Sequence, residues 1–177
     1  MMKLDEALVE KASKIRYFFT DVDGTLTDGT ILYTVNGELA KNFTTRDGTG
    51  FFLLKKMQIN AGIITGENSD IVSVRANKLA LKHCFLGVDD KFEKMQNFLH
   101  SEKMNMENLA YIGDDLNDFE LLSNCGLSFC PSDAVVQIKN IVDVTCASKG
   151  GYGAFRDAVD YIIKLKGLEI LQVFTKK

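Results

Sequence analysis

Asp21 and Asp23 stand two residues apart, directly behind the apolar run that ends Phe18-Phe19-Thr20. Carboxylates this close repel one another unless a positive group lies between them. A hard divalent cation with oxygen ligands is the natural neutraliser, and Mg2+ suits a site that also holds phosphate. Gly24 lets the backbone turn sharply, and Thr25 can hydrogen-bond a carboxylate. A solvated acidic turn would explain a bare Asp-x-Asp. The hydrophobic lead-in and the following Gly-Thr favour a site.

A second acidic turn, Gly113-Asp114-Asp115-Leu116-Asn117-Asp118, follows the apolar segment Leu109-Ala110-Tyr111-Ile112. Acids at a helix start complement the macrodipole. That accounts for one or two of the three acids, and a metal ligand from this turn would complete the pair at Asp21 and Asp23. Thr65-Gly66 closes the run Ile63-Ile64 and offers a hydroxyl and an amide where a helix opens, which is a phosphate cradle. Lys91, at the start of another helical stretch, can balance phosphate charge. A Thr-Gly turn or a single lysine is ordinary alone.

The elements that must position these residues alternate apolar runs with amphipathic stretches, the βαβ pattern of a parallel sheet covered by helices. Helices are predicted at 4–14, 48–59, 69–81, 91–104, from the acidic turn to about 123, and at 152–166. Strands are predicted at 16–20, 61–65, 83–85, 109–112, 126–129 and 142–145. Residues 30–34 and 39–43 flank Val35-Asn36-Gly37-Glu38, a hairpin signal because Asn and Gly both tolerate positive φ. Asp21, Thr65 and Asp114 each fall at or just past a strand end. In open parallel sheets that edge is where ligands bind.

The whole chain of 177 residues reads as a single α/β domain, with a hairpin insert at about 30–43 and a C-terminal tail at about 167–177. Hydrophobic residues make up 46% and charged residues 25%, with a net charge of −3, so a nucleic-acid footprint is not expected. No apolar run approaches the roughly 20 residues that span a bilayer. The charged N-terminus predicts no secretory leader. Cys84, Cys125, Cys130 and Cys146 lack the paired spacing of a zinc site and are read as reduced core residues of a cytoplasmic protein.

The order acid pair, hydroxyl, lysine, acidic turn resembles the haloacid dehalogenase superfamily of phosphohydrolases. That resemblance implies a Rossmann-like parallel sheet with helices on both faces. It implies Asp21 as nucleophile and Asp23 as general acid/base. Thr65, Gly66 and Lys91 would bind the phosphoryl group. Asp21, Asp114 and the backbone carbonyl of Asp23 would hold Mg2+, with Asp118 supporting the lysine or the metal shell. The intervals between the motifs leave no room for a large cap domain.

Capless members resemble this chain over about residues 12–160, in segments such as Thr45-Arg46-Asp47-Gly48 and Gly150-Gly151-Tyr152-Gly153. That subfamily hydrolyses the 8-phosphate of 3-deoxy-octulosonate and the 9-phosphates of nine-carbon keto-deoxy and sialic-type acids. The resemblance implies a homotetramer, joined through the hairpin, whose subunits close each other's sites. It implies a small sugar-acid phosphate as substrate. Its eight-carbon enzymes usually carry Thr-Gly-Arg where this chain has Thr65-Gly66-Glu67. With Arg75 and Lys78, Glu67 is closer to the nine-carbon phosphatase. Glu67 would accept bonds from hydroxyls, and Arg156 would reach a carboxylate, in its own or a neighbouring subunit. Residues 167–177 are read either as a flexible tail or as a cover for a neighbour's site. The competing reading is a non-catalytic oligomerisation domain, related to one fused to sialic-acid-activating enzymes.

Overall fold

The computed structural model describes residues 5–176; Leu4 of the predicted first helix and Lys177 of the tail lie outside the described residues. Helix α1 (Glu6–Lys14) leads into β1 (Tyr17–Thr20). A hairpin of β2 (Leu32–Thr34) and β3 (Gly37–Ala40) follows, then α2 (Thr45–Lys56), β4 (Asn60–Ile64), α3 (Asp70–Lys78) and β5 (His83–Phe85). The chain continues through α4 (Lys91–Ser101), β6 (Leu109–Ile112), α5 (Phe119–Asn124), β7 (Leu127–Cys130), α6 (Val136–Lys139), β8 (Val144–Thr145), α7 (Ala154–Leu165) and α8 (Ile170–Thr175).

Six strands form one parallel sheet in the order β5-β4-β1-β6-β7-β8. From β1 the chain winds outward to β4 and β5, then crosses back to β6 on the other side. The crevice between those windings opens at the carboxyl ends of β4, β1 and β6.

Side chains alternate across a strand, so a strand buried on both faces reads as a continuous apolar run. In β1, Phe18 joins one core layer, with Ala12, Leu53, Val72, Phe155 and Val173 from α1, α2, α3, α7 and α8. Tyr17 and Phe19 join the opposite layer, with Met95, Leu121 and Ile138 from α4, α5 and α6. Both faces are thus covered by helices, as expected.

Between Asp23 and Thr65 the ordered elements are the hairpin, α2 and β4; between Lys91 and Asp114 they are α4, a 3-10 turn and β6. The large cap domain is absent there, as the intervals predicted.

Several boundaries differ from the sequence reading. The hairpin turn is shorter: Thr34 pairs with Gly37, and only Gly37 takes a positive φ, +109°, while Asn36 does not. Helix α2 starts at Thr45 rather than residue 48, because the hydroxyl of Thr44 caps it by accepting from the Arg46 amide. Helix α6, inside a stretch read as connection, was not predicted. The tail contains α8, whose Val173 is buried and whose Phe174 ring meets Phe52 of α2 at 5.6 Å. Up to residue 176 the tail therefore packs on its own chain.

Candidate active site

Asp21 is the first residue beyond β1, and its amide donates to Ile112 of β6. The loop that carries Asp21 is thereby tied to the neighbouring strand. Gly24 follows with φ +91°, and a Cβ there would lie 2.1 Å from Oδ2 of Asp114. Only glycine permits both the turn and that approach. The Thr25 hydroxyl donates to Oδ1 of Asp114 at 3.0 Å, so the two acidic turns are bonded to each other.

Lys91 opens α4, a place where the helix dipole disfavours a cation. Its side chain turns inward, 98% buried, and its ammonium donates at 2.6 Å to Oδ1 of Asp21 and at 2.6 Å to Oδ1 of Asp118. The Tyr111 hydroxyl donates to the same oxygen of Asp118 at 2.5 Å. Oδ2 of Asp118 accepts from the Asp114 amide at 3.0 Å. Asp118 is therefore committed on both oxygens to orienting its neighbours.

Carboxylate oxygens of Asp21, Asp114 and Asp118 lie within 4.8 Å of one another. Three carboxylates against the single ammonium of Lys91 leave two negative charges in a buried place. Burial, then the charge of Asp118, drives the Asp21 carboxyl well above its usual range, and Lys91 only partly opposes this. Burial, then Asp118, pushes Asp114 up to about 7. Burial pulls on Lys91 in the opposite sense, but Asp21 and Asp118 outweigh it and hold the ammonium above its ordinary value. A divalent cation with oxygen ligands fits this donor set and its charge deficit. Asp21 and Asp114 each keep an oxygen without a protein partner, and Asp118 does not.

The Asp23 carboxylate stands apart from that trio. Its Oδ1 accepts from the Lys41 ammonium at 2.5 Å, and its Oδ2 is buried without a partner. Lys41 also donates to Glu38 at 3.1 Å. Sequence reasoning missed Lys41 and Tyr111. Lys41 lies at the end of a hairpin arm with nothing nearby in sequence to mark it as buried. Tyr111 looked like one more apolar strand residue.

The open space above these groups is about 380 Å³, lined by Asp21, Asp23, Thr65, Gly66, Glu67, Asp115, Leu116 and Asn117. Thr65 ends β4, and its hydroxyl accepts from the Glu67 amide at 3.2 Å. The predicted Asp21, Asp23, Thr65, Gly66 and Glu67 are thus gathered at one opening, with Lys91 and Asp114 beneath. Arg75, Lys78 and Arg156 are not brought there. Arg75 donates to the Thr44 carbonyl at 3.1 Å and lies over the Phe43 ring. Arg156 pairs with Asp160 at 2.7 Å, and Lys78 is exposed in the last turn of α3. Prior pairing, or the outward face of α3, keeps these cations off that opening.

The family pattern described as haloacid dehalogenase-like hydrolase matches residues 63–154. The 3-deoxy-D-manno-octulosonate 8-phosphate phosphatase of Haemophilus influenzae is 38% identical over 158 residues, covering 89% of this chain and 88% of that protein. This chain belongs to the haloacid dehalogenase-like hydrolases. Two solved structures of the family resemble it closely. The enzyme of that name from Moraxella catarrhalis, in complex with magnesium, phosphate and KDO, superposes with a TM-score of 0.88 at 33% identity, covering 93% of this chain and 94% of that one. The cobalt-bound phosphatase of Haemophilus influenzae gives 0.88 at 37% identity, covering 94% and 99%. No helix among the described residues of this haloacid dehalogenase-like chain is long and apolar enough to cross a membrane.

Proposed function

We propose that this chain is a cytoplasmic, Mg2+-dependent phosphatase that hydrolyses the phosphate ester of a 2-keto-3-deoxy sugar acid through an aspartyl-phosphate on Asp21. The observation that carries the reading is the pairing of Asp21 with Lys91 beside Asp114, at the mouth where Thr65 and Gly66 present a hydroxyl and an amide. The names of the relatives support the substrate class.

Asp21 and Asp114, with the backbone carbonyl of Asp23, would hold the metal ion, which supplies charge neutralisation for the phosphoryl oxygens. Asp21 attacks phosphorus through a carboxylate oxygen, and the bond from phosphorus to the sugar oxygen breaks. Asp23 gives its proton to that oxygen, so the sugar leaves as a neutral alcohol. A water oxygen then attacks the same phosphorus, and its proton returns to Asp23. Phosphate departs and the Asp21 carboxylate is restored. Lys91 and Thr65 hold the phosphoryl group, since positioning and charge are most of what this transfer demands.

Two observations bear on chain length. The relatives' names favour the eight-carbon 8-phosphate. Glu67, an acceptor at the opening where an arginine would bind a carboxylate, favours a nine-carbon 9-phosphate. The exposed apolar residues of the hairpin, Leu32, Tyr33, Val35 and Leu39, support a homotetramer in which Arg75, Lys78 or Arg156 serve a neighbouring site. The alternative of a non-catalytic oligomerisation domain has no need for so complete a set of groups around Asp21.

Phosphate release from the eight- and nine-carbon esters with Mg2+, run beside Asp21→Asn and a native mass measurement, tests the reading. Release that vanishes in Asp21→Asn with the assembly intact supports it. No release from any sugar-acid phosphate would sink it, and a preference for the eight-carbon ester would overturn the role given to Glu67.

A further inference from the structure

Lys41 stands just past β3, and its side chain is fully buried. A buried ammonium is costly unless its hydrogens are taken up. Here both of its partners are acids, and they belong to different parts of the fold. Asp23 lies in the nucleophile loop, 2.5 Å away, and Glu38 lies in the hairpin, 3.1 Å away. Glu38 in turn accepts a hydrogen bond from the hydroxyl of Ser69, which immediately precedes α3. A continuous chain of contacts therefore runs from the start of α3 through the hairpin to the Asp23 carboxylate.

That chain has a clear use. Asp23 sits beside Gly24, whose φ is +91°, and only two residues from the charge of Asp21. Left alone, its carboxylate would swing away from Asp21 toward water. A proton donor displaced by about 1 Å loses on the order of 100-fold in rate. Lys41 occupies Oδ1, and with Oδ2 buried the carboxylate is held by the protein rather than by water.

We propose that Lys41 is a positioning residue that locks the Asp23 carboxyl group in the orientation from which it protonates the leaving oxygen, with Glu38 and Ser69 holding Lys41 in place. The proposal rests on the acid/base reading of Asp23 above. It makes the hairpin part of the catalytic apparatus of its own subunit.

The experiment compares kcat/KM for two esters, because that ratio reports the chemistry up to departure of the leaving group. One is 3-deoxy-D-manno-octulosonate 8-phosphate, an alkyl ester whose oxygen needs the proton. The other is p-nitrophenyl phosphate, whose phenolate leaves without one. In Lys41→Met, kcat/KM for the alkyl ester falls about 10- to 100-fold, while that for the aryl ester changes less than about threefold. Lys41→Arg restores most of the difference. Asp23→Asn is measured beside them. If Asp23→Asn fails to separate the two esters, the acid/base reading of Asp23 is what fails. If it separates them and Lys41→Met lowers both equally, the proposal for Lys41 is overturned. Should Lys41→Met not fold, Glu38→Gln carries the same comparison, with a selective loss of a few-fold expected and an unchanged ratio overturning the proposal.

Discussion

The ammonium of Lys91 lies 2.6 Å from Oδ1 of Asp21, with both side chains almost wholly removed from solvent. The pair holds the Asp21 carboxylate in place, and it also leaves two acids dependent on one cation.

Lys91→Met should therefore injure stability as well as activity. Removing one partner of a buried pair strands the other charge at about 3–5 kcal/mol. Asp21 and Asp118 would both be stranded. The unfolding free energy from denaturant melts at pH 7 should fall by that order, and the loss should shrink toward pH 5, where the freed Asp21 carboxyl, already raised by burial, can take up a proton. A loss independent of pH would argue against this account.

Magnesium should stabilise the protein more at pH 8 than at pH 5.5. Asp114, raised to about 7, favours the folded state fully below its unfolded value near 3.8, and that contribution is lost as pH rises through about 7. Mg2+ then replaces the missing protons, whereas at low pH it must displace them. Melting temperatures with EDTA and with Mg2+ at the two pH values check this; an equal gain at both counts against it.

Gly150→Ala should damage the site from behind. A Cβ at Gly150 would lie 1.8 Å from the Gly24 carbonyl oxygen. The φ of Gly150 is not among the positive values, so the penalty is steric rather than conformational. Overpacking of this kind costs about 1–3 kcal/mol. Because the atom struck belongs to the loop that carries Asp21, phosphate release should fall by at least about tenfold in protein that remains folded. A folded variant of unchanged kcat would refute the contact.

Asp47→Asn should raise stability near neutral pH. The side chain is 98% buried, its Oδ1 accepts from the Arg156 amide at 2.9 Å, and its Oδ2 has no partner. Burial, opposed mainly by that amide, pushes the carboxyl up to about 6. Its contribution is therefore present below about 3.8 and lost as pH rises through about 6. Asparagine keeps the acceptor and drops the charge. Its advantage over the wild type should grow across that window, to on the order of 2–3 kcal/mol at pH 7. Urea melts at pH 4 and pH 7 test the trend.

What could be read in advance was whatever sits next to a strand end. Asp21, Thr65 and Asp114 follow apolar runs that only a buried strand explains, and the windings then had to bring them together. The arm limits of the hairpin were less readable, because its exposed strands bury no alternating face. Lys41 was invisible for a related reason: a lysine is normally solvated, and it takes Asp23, 18 residues away, together with Glu38 to make it a buried one. Arg75 was readable as a cation but not as one bonded to the Thr44 carbonyl. Helix α8 escaped because its anchor, Val173, is a single buried residue in a short segment whose packing surface comes from α2 and α7.

The order β4-β1-β6 at the centre of the sheet has a kinetic consequence. Strand β1 pairs with Asn60–Ile64 on one side and Leu109–Ile112 on the other, so neither partner is local. Contacts this distant in sequence form slowly, because the loops between them must close first. Asp21, Thr65 and Asp114 acquire their mutual distances only when both pairings exist. During refolding, helical signal should return before activity, and the first competent molecules should be those in which the last of the three strands has docked.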